Sequence, residues 1–206
     1  MQLMRSEYLV DNGPFANSQE RLDTINEICA GIATVVWPLG AENFTINPTR
    51  KGNGVTPIKH DFLRHLRAQG WQTEVRTSIG GVAPGPLDAV KTFSDGRKFA
   101  VEWETGNISS THRAINKLVL GMLRNELCGG AIVLPTRTMY RFLTDRVGNY
   151  EEILPYFDNW RGRTDLKGFL AIFAVEHDAE SNDAPAVPKG NDGWANFRPA
   201  FAETAE

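Results

Sequence analysis

The stretch that decides the fold runs Leu87-Asp88-Ala89-Val90-Lys91-Thr92-Phe93, turns through Ser94-Asp95-Gly96, and returns as Lys98-Phe99-Ala100-Val101-Glu102-Trp103-Glu104. Strand-forming residues fill both arms and a short polar, Gly-containing link joins them, which reads as a β-hairpin. Alternate residues of a strand share a face, so Glu102 and Glu104 point together while Val101 and Trp103 point away. Set opposite Asp88 on the other arm, they make a carboxylate cluster. Its repulsion is relieved best by a divalent cation bound through hard oxygen ligands, and Mg2+ fits. The plain alternative is a solvated sheet face, where alternating Glu is common; spacing alone leaves both readings open. Phe99, Val101 and Trp103, with Leu87 and Val90 flanking Asp88, place the hairpin in the body of the fold. An uncompensated acidic cluster is costly there.

Working outward from the hairpin, Leu22, Ile25, Cys29, Ile32 and Val36 recur at helical spacing between Ser18 and Trp37, with Pro38 as the stop. Gly, Pro and Asn between Ala41 and Val55 predict a long loop. A second helix is expected with Thr56 as its cap, Pro57 in its first position, Ile58, Phe62, Leu63 and Leu66 as its buried stripe and Gly70 as its end. Trp71 to Ile79 begins a strand, and the Gly- and Pro-rich run from Gly80 to Pro86 is a turn. After the hairpin, Ser109 and Ser110 are candidate caps for a helix with apolar positions Ile115, Leu118, Val119, Met122 and Leu123, closed by Gly129 and Gly130. Ala131 to Leu134 and Phe169 to Val175 are continuous apolar runs suited to fully buried strands. The order of elements predicts an α/β fold, a central mixed β-sheet flanked by helices on both faces. One domain over 1–206 is expected, with a flexible C-terminal arm from about 178, where Asp, Asn, Pro and Gly take over.

Composition narrows the function classes. No apolar run approaches the roughly 20 residues of a membrane span, and Arg5 and Glu7 interrupt the first ten residues where a signal peptide would have its apolar core. A cytoplasmic protein without a membrane partner is expected. Cys29 and Cys128 lie far apart on apolar segments, and His60, His65, His112 and His177 show no metal spacing, so neither set suggests zinc. The formal charge is −3, yet residues 105–167 carry nine Lys and Arg against six Asp and Glu. That asymmetry permits a local basic surface and weighs little alone. Arg50, Lys51 and Lys59 read either as phosphate contacts or as a basic loop.

An Asp followed 14 residues later by Glu-x-Glu is the hairpin arrangement of the PD-(D/E)xK nucleases, with Glu104 where Lys is usual. The longer strings Gly-Pro-Leu-Asp-Ala-Val-Lys from Gly85, Glu-Trp-Glu-Thr-Gly-Asn-Ile-Ser-Ser-Thr-His-Arg-Ala from Glu102, Leu-Thr-Asp-Arg-Val-Gly-Asn from Leu143, Pro-Tyr-Phe from Pro155 and Pro-Lys-Gly-Asn-Asp-Gly from Pro188 sharpen this. Through them the chain resembles the type II restriction endonucleases of the BamHI family over about four fifths of its length. The resemblance implies a restriction-endonuclease-like fold and a Mg2+ cofactor that Mn2+ replaces. Asp88 and Glu102 become metal-bridging carboxylates, Glu104 the residue that holds the attacking water, and Glu74 the counterpart of the family's fourth acidic residue and a further metal ligand.

The resemblance also places the base readers. Asn107, Ser109 and Arg113 follow Glu104 by three, five and nine residues at a helix start, where Asn and Ser suit adenine and thymine edges and Arg suits guanine. Read alone, Ser109 is as well explained by helix capping and Arg113 by a salt bridge. Asp145 and Arg146 are implied to read outer G·C pairs, giving GGATCC or another GATC-centred hexamer in double-stranded DNA. A palindrome is matched by a homodimer. The helix from Ser110 to Glu126 is expected at its interface, with Arg124 and Glu126 either paired across the axis or simply solvated. Pro188 to Gly193 resembles an arm that enters the minor groove, and a methyltransferase acting on the same site is the expected partner. Two other readings remain: a non-catalytic DNA-binding protein with this fold, and a repair nuclease that selects branched or nicked structures.

Overall fold

The computed structural model describes residues 1–55, 57–76, 79, 85–144 and 147–189. In chain order the elements are β1 (Gln2–Asn12), α1 (Gln19–Ala33), β2 (Thr45–Ile46), α2 (Ile58–Ala68), β3 (Gln72–Val75), β4 (Leu87–Thr92), β5 (Lys98–Trp103), α3 (Ile108–Leu123), β6 (Gly129–Pro135), α4 (Arg137–Tyr140), α5 (Tyr150–Ile153), a 3-10 helix (Leu154–Asn159), β7 (Gly168–Glu176) and β8 (Ala179–Glu180). Six strands form one sheet in the order β1-β7-β6-β5-β4-β3. The hairpin β4–β5 is antiparallel, β5, β6 and β7 run parallel, and β1 and β3 close the edges antiparallel. The sheet is therefore mixed.

Two apolar cores explain why helices cover both faces. On one, Ile25 and Ile28 of α1 and Phe62 and Leu66 of α2 pack with Phe99, Val101, Trp103, Val133 and Phe173. On the other, Ile115, Leu118 and Met122 of α3 and Tyr150, Phe157 and Trp160 pack with Ala100, Ile132, Leu134 and Ile172. The central strands β6 and β7 are buried on both sides, which is why they read as unbroken apolar runs. No helix of the described residues is long and apolar enough to cross a membrane.

Several expectations need correction. The first twelve residues, assigned no element from the sequence, form an edge strand with two register shifts, between Leu3 and Arg5 and between Tyr8 and Val10. Those bulges break the period of two that marks a strand. Helix α1 starts where expected, with Ser18 capping Arg21 N–H, but ends at Ala33 and leaves Leu22 exposed. Helix α2 follows Pro57, whereas Thr56, its expected cap, lies outside the described residues, as does most of the turn between Gly80 and Pro86. The cap of α3 is Asn107, whose side-chain carbonyl accepts from Ser110 N–H at 3.1 Å; Ser109 and Ser110 sit inside the first turn. That helix stops at Leu123, so Arg124 and Glu126 lie in the connection after it. The segment read as an arm from 178 is tied to the body through residue 189. There β8 pairs in parallel with β2, Ala184 and Val187 are buried, and Gly54 N–H bonds Val187 O at 2.8 Å. Residues from 190 lie outside the described residues.

Candidate active site

The C-terminal end of β5 carries Glu102, and Glu104 just beyond it, to the mouth of a cavity of about 180 Å3 between the hairpin and α3. Asp88, Glu102 and Glu104 all line it, with Lys59, Lys117, Ser110 and Arg113. Each of the three carboxylate residues is only 8% exposed, so the solvated-face reading does not hold.

The hairpin itself joins Asp88 to Glu102. Asp88 Oδ2 accepts from Trp103 N–H at 2.8 Å, and Asp88 N–H approaches Glu102 Oε2 at 3.4 Å. Each acid then faces one lysine from a helix. Lys59 Nζ, on α2, lies 2.8 Å from Asp88 Oδ1 and 3.5 Å from Glu74 Oε1. Lys117 Nζ, on α3, contacts Glu102 Oε1 and donates to Pro86 O at 3.1 Å. Burial works to lower the Lys59 pKa, but Asp88 and then Glu74 outweigh it, so the ammonium is held above its ordinary value. Burial, reinforced by the Asp88 charge, pushes Glu102 from 4.5 up to about 7 against the opposing pull of Lys117. A carboxylate so placed takes a proton readily unless more positive charge arrives.

Glu104 is turned another way. Its Oε1 accepts from Gly106 N–H at 2.5 Å, and its pKa is raised by burial while Gly106 N–H and the Thr111 hydroxyl work against the rise. Gly106 is required for this closeness, because a Cβ there would lie 2.7 Å from Ser110 Cβ and 3.1 Å from Glu104 Oε1. Glu104 thus faces the cavity while braced against the start of α3.

Glu74 departs from expectation. The pairs Thr73–Ala89 and Val75–Leu87 bracket it opposite Asp88, but its φ of 53° breaks the strand geometry. Its side chain is half exposed, meets the site through Lys59, and is not among the described residues that line the cavity. Nor do three His, Cys, Asp or Glu side chains among the described residues converge as one ion-binding group. The pair able to hold a cation is Asp88 with Glu102, and Mg2+ is commonly bound by one or two carboxylates with waters completing its shell. Their hard oxygen chemistry fits such an ion, and Glu102 Oε1, buried and held by Lys117, already sits in a place that takes a positive charge.

Three of the five expected base readers sit beside this cavity. Asn107, Ser109 and Arg113 are exposed along the first turns of α3, and Arg113 also lines the cavity and makes no ion pair among the described residues. Asp145 and Arg146 lie outside the described residues, but the chain on either side of them is pinned. Thr144 N–H bonds Asn53 O at 2.5 Å, and Gly148 N–H bonds Gly106 O at 2.8 Å. Sequence reasoning missed Lys117 entirely and placed Lys59 in a basic loop. The only signal for Lys117 was its place among the buried positions Ile115, Leu118 and Val119, where a lysine needs an acidic partner.

Comparison with known proteins completes the description. A family model described as "Restriction endonuclease BamHI" matches residues 1–194. The chain is 50% identical over 196 residues to the type II restriction enzyme OkrAI of Oceanobacter kriegii, covering 95% of this chain and 99% of that one. It is 35% identical over 202 residues to the type II restriction enzyme BamHI of Bacillus amyloliquefaciens, covering 93% and 92%. Among solved structures, the restriction endonuclease BGLII complexed with a DNA 16-mer superposes with a TM-score of 0.58 at 11% identity, over 85% of this chain and 79% of that chain. That likeness speaks for the fold, a mixed sheet with flanking helices.

Proposed function

Because this chain belongs to the BamHI family of restriction endonucleases, we propose that it is a magnesium-dependent type II enzyme that cuts double-stranded DNA as a homodimer within a palindrome, GGATCC or another GATC-centred hexamer. The observation that carries the chemistry is the buried cavity in which Asp88, Glu102 and Glu104 meet two lysines. Asp88 and Glu102 would hold the divalent cation. When bound, the cation supplies Lewis acidity, offsetting negative charge on the phosphoryl oxygens and making water a better nucleophile.

The protein's own residues do the rest. Glu104, with a pKa raised by burial and a carboxyl braced by Gly106 N–H, orients the attacking water and accepts its proton. Lys59 and Lys117 keep the acidic cavity from repelling an anionic phosphodiester. Asn107, Ser109 and Arg113 offer hydrogen-bonding groups to base edges next to the scissile phosphate, and Asp145 and Arg146 complete the outer pairs. Each subunit reads one half-site, so two-fold symmetry of the DNA is matched by two-fold symmetry of the protein. A methyltransferase of the same site specificity would protect the host DNA.

Digesting a library of duplexes containing random hexamers in Mg2+, and sequencing the ends, tests this reading. Cuts at one fixed position within GGATCC, or within a GATC-centred hexamer, are expected. Ends confined to branches or nicks, or binding without cutting, would overturn it.

A further inference from the structure

A single buried amide joins three stretches of chain that lie far apart in sequence. Asn53 is fully buried, and its polar atoms are engaged by the stretches on either side. Its Nδ2 donates to Asn47 O at 2.8 Å and to Phe142 O at 3.0 Å, while its Oδ1 accepts from Val187 N–H at 3.1 Å. Its backbone continues the pattern: Asn53 N–H bonds Phe142 O at 2.9 Å, and Thr144 N–H bonds Asn53 O at 2.5 Å, forming an isolated parallel bridge with Leu143. On one side of Asn53, Lys51 N–H reaches Arg141 O at 3.0 Å. On the other, Gly54 lies so close to the C-terminal stretch that an added Cβ would meet Pro188 O at 1.8 Å.

The three stretches share a destination. Residues 141–144 lead directly into Asp145 and Arg146, residues 184–189 run into the stretch from Pro188 to Gly193 that resembles a minor-groove arm, and 47–54 carries the exposed cations Arg50 and Lys51. We infer that Asn53 is a specificity-positioning residue: without touching DNA it holds residues 141–144, the stretch that leads into the outer-pair readers. This rests on the assignment of Asp145 and Arg146 made under the proposed function. The amide is suited to the task because it offers two donors and one acceptor from a short side chain. Alanine would remove the partner of Asn47 O and of Val187 N–H while Phe142 O keeps the Asn53 backbone N–H, and aspartate would keep the acceptor but set an anion against both carbonyls. The inner readers do not depend on it. Asn107, Ser109 and Arg113 stand on α3, which is braced through Glu104, Gly106 and Thr111.

The test compares the parent with Asn53→Ala and Asn53→Asp, each cutting duplexes that carry the parent's own site or one substituted base pair. The parent's digest decides the underlying reading first, since failure to cut any hexamer sinks the proposed function before Asn53 is considered. Given a hexamer, discrimination at the outer pairs is expected to fall about tenfold in kcat/KM, the order of one lost base-pair contact, with inner-pair discrimination unchanged within about twofold. Asn53→Asp, which sets a buried anion against Asn47 O and Phe142 O, should lose at least as much as Asn53→Ala. Equal loss at inner and outer pairs, or no loss at either, overturns the inference. So does failure of both variants to unfold cooperatively by circular dichroism, because Asn53 would then hold the whole domain and not one recognition loop.

Discussion

Two concavities among the described residues lie at different places on the sheet, and they differ in kind. The larger, about 680 Å3, lies among the β1–α1 connection, the turn of the β4–β5 hairpin and the residues around Cys128 and Gly168. Its charged groups are surface ones, such as Arg97 paired with Asp95 and Glu20, and burial pushes its Cys128 thiol up to about 12, far from any nucleophilic form at neutral pH. The smaller, about 180 Å3, holds three buried carboxylates and two lysines. Size would select the first as a working site; energetics select the second. Burying like charges is unfavourable, so their presence needs a compensating ligand or function, whereas an open cleft at a sheet end needs none.

The comparison breaks most visibly if the carboxylates are neutralised. Glu104→Gln keeps the shape of the side chain but removes the base, and should lower the cleavage rate by about 10^2 to 10^4-fold, read by single-turnover assay, with DNA binding retained. A fall of less than tenfold would remove Glu104 from the chemistry. Next in size is Lys117→Met. Leaving Glu102 buried beside Asp88 without its ammonium should lower the stability of the metal-free protein by about 3 kcal/mol. Because an added cation replaces the missing charge, Mg2+ should raise Tm more in the variant than in the parent.

The pH dependence of the metal-free protein sharpens the same contrast. Glu102 has a folded pKa raised from 4.5 to about 7, so the folded state binds a proton more tightly than the unfolded chain over that interval. Stability should therefore be higher near pH 5 and decline as pH rises toward 7, with Glu104 acting in the same direction. Glu102→Gln should flatten most of that slope in denaturant titrations at several pH values. A parent whose stability rises over this interval would contradict the assignment. Smallest of all, Cys128→Ser in the larger cleft should change the cleavage rate by less than about twofold, as expected of a partly buried thiol without a chemical role.

How much of this was legible follows from the range of each interaction. Hairpin β4–β5, buried strands β6 and β7, and the apolar stripes of α2 and α3 are local patterns, and each stands where its periodicity puts it, except that Leu123 at the end of α3 is exposed. Strand β1 is not, because an edge strand needs little apolar character and two bulges erase its alternation. Within the site, the three cavity carboxylates are visible as a motif, but their partners are not. Lys59 and Lys117 arrive from two different helices, and lysines on helices ordinarily read as solvated. Glu74 fails for a backbone reason, a left-handed φ that no strand pattern encodes in a non-glycine residue. The cap of α3 was ambiguous because Asn107, Ser109 and Ser110 are all competent within four positions, and side-chain geometry chose the first.

The proposed chemistry requires that the neighbourhood of Asp88 and Glu102 be a cation site next to bound DNA. Anomalous diffraction from a crystal of the protein with Mn2+ and an uncleaved cognate duplex tests this directly. A manganese peak is predicted within ligand distance of carboxylate oxygens of both Asp88 and Glu102, with Lys117 withdrawn from Glu102. Manganese bound only elsewhere, with the lysine still seated on that carboxylate, would contradict it.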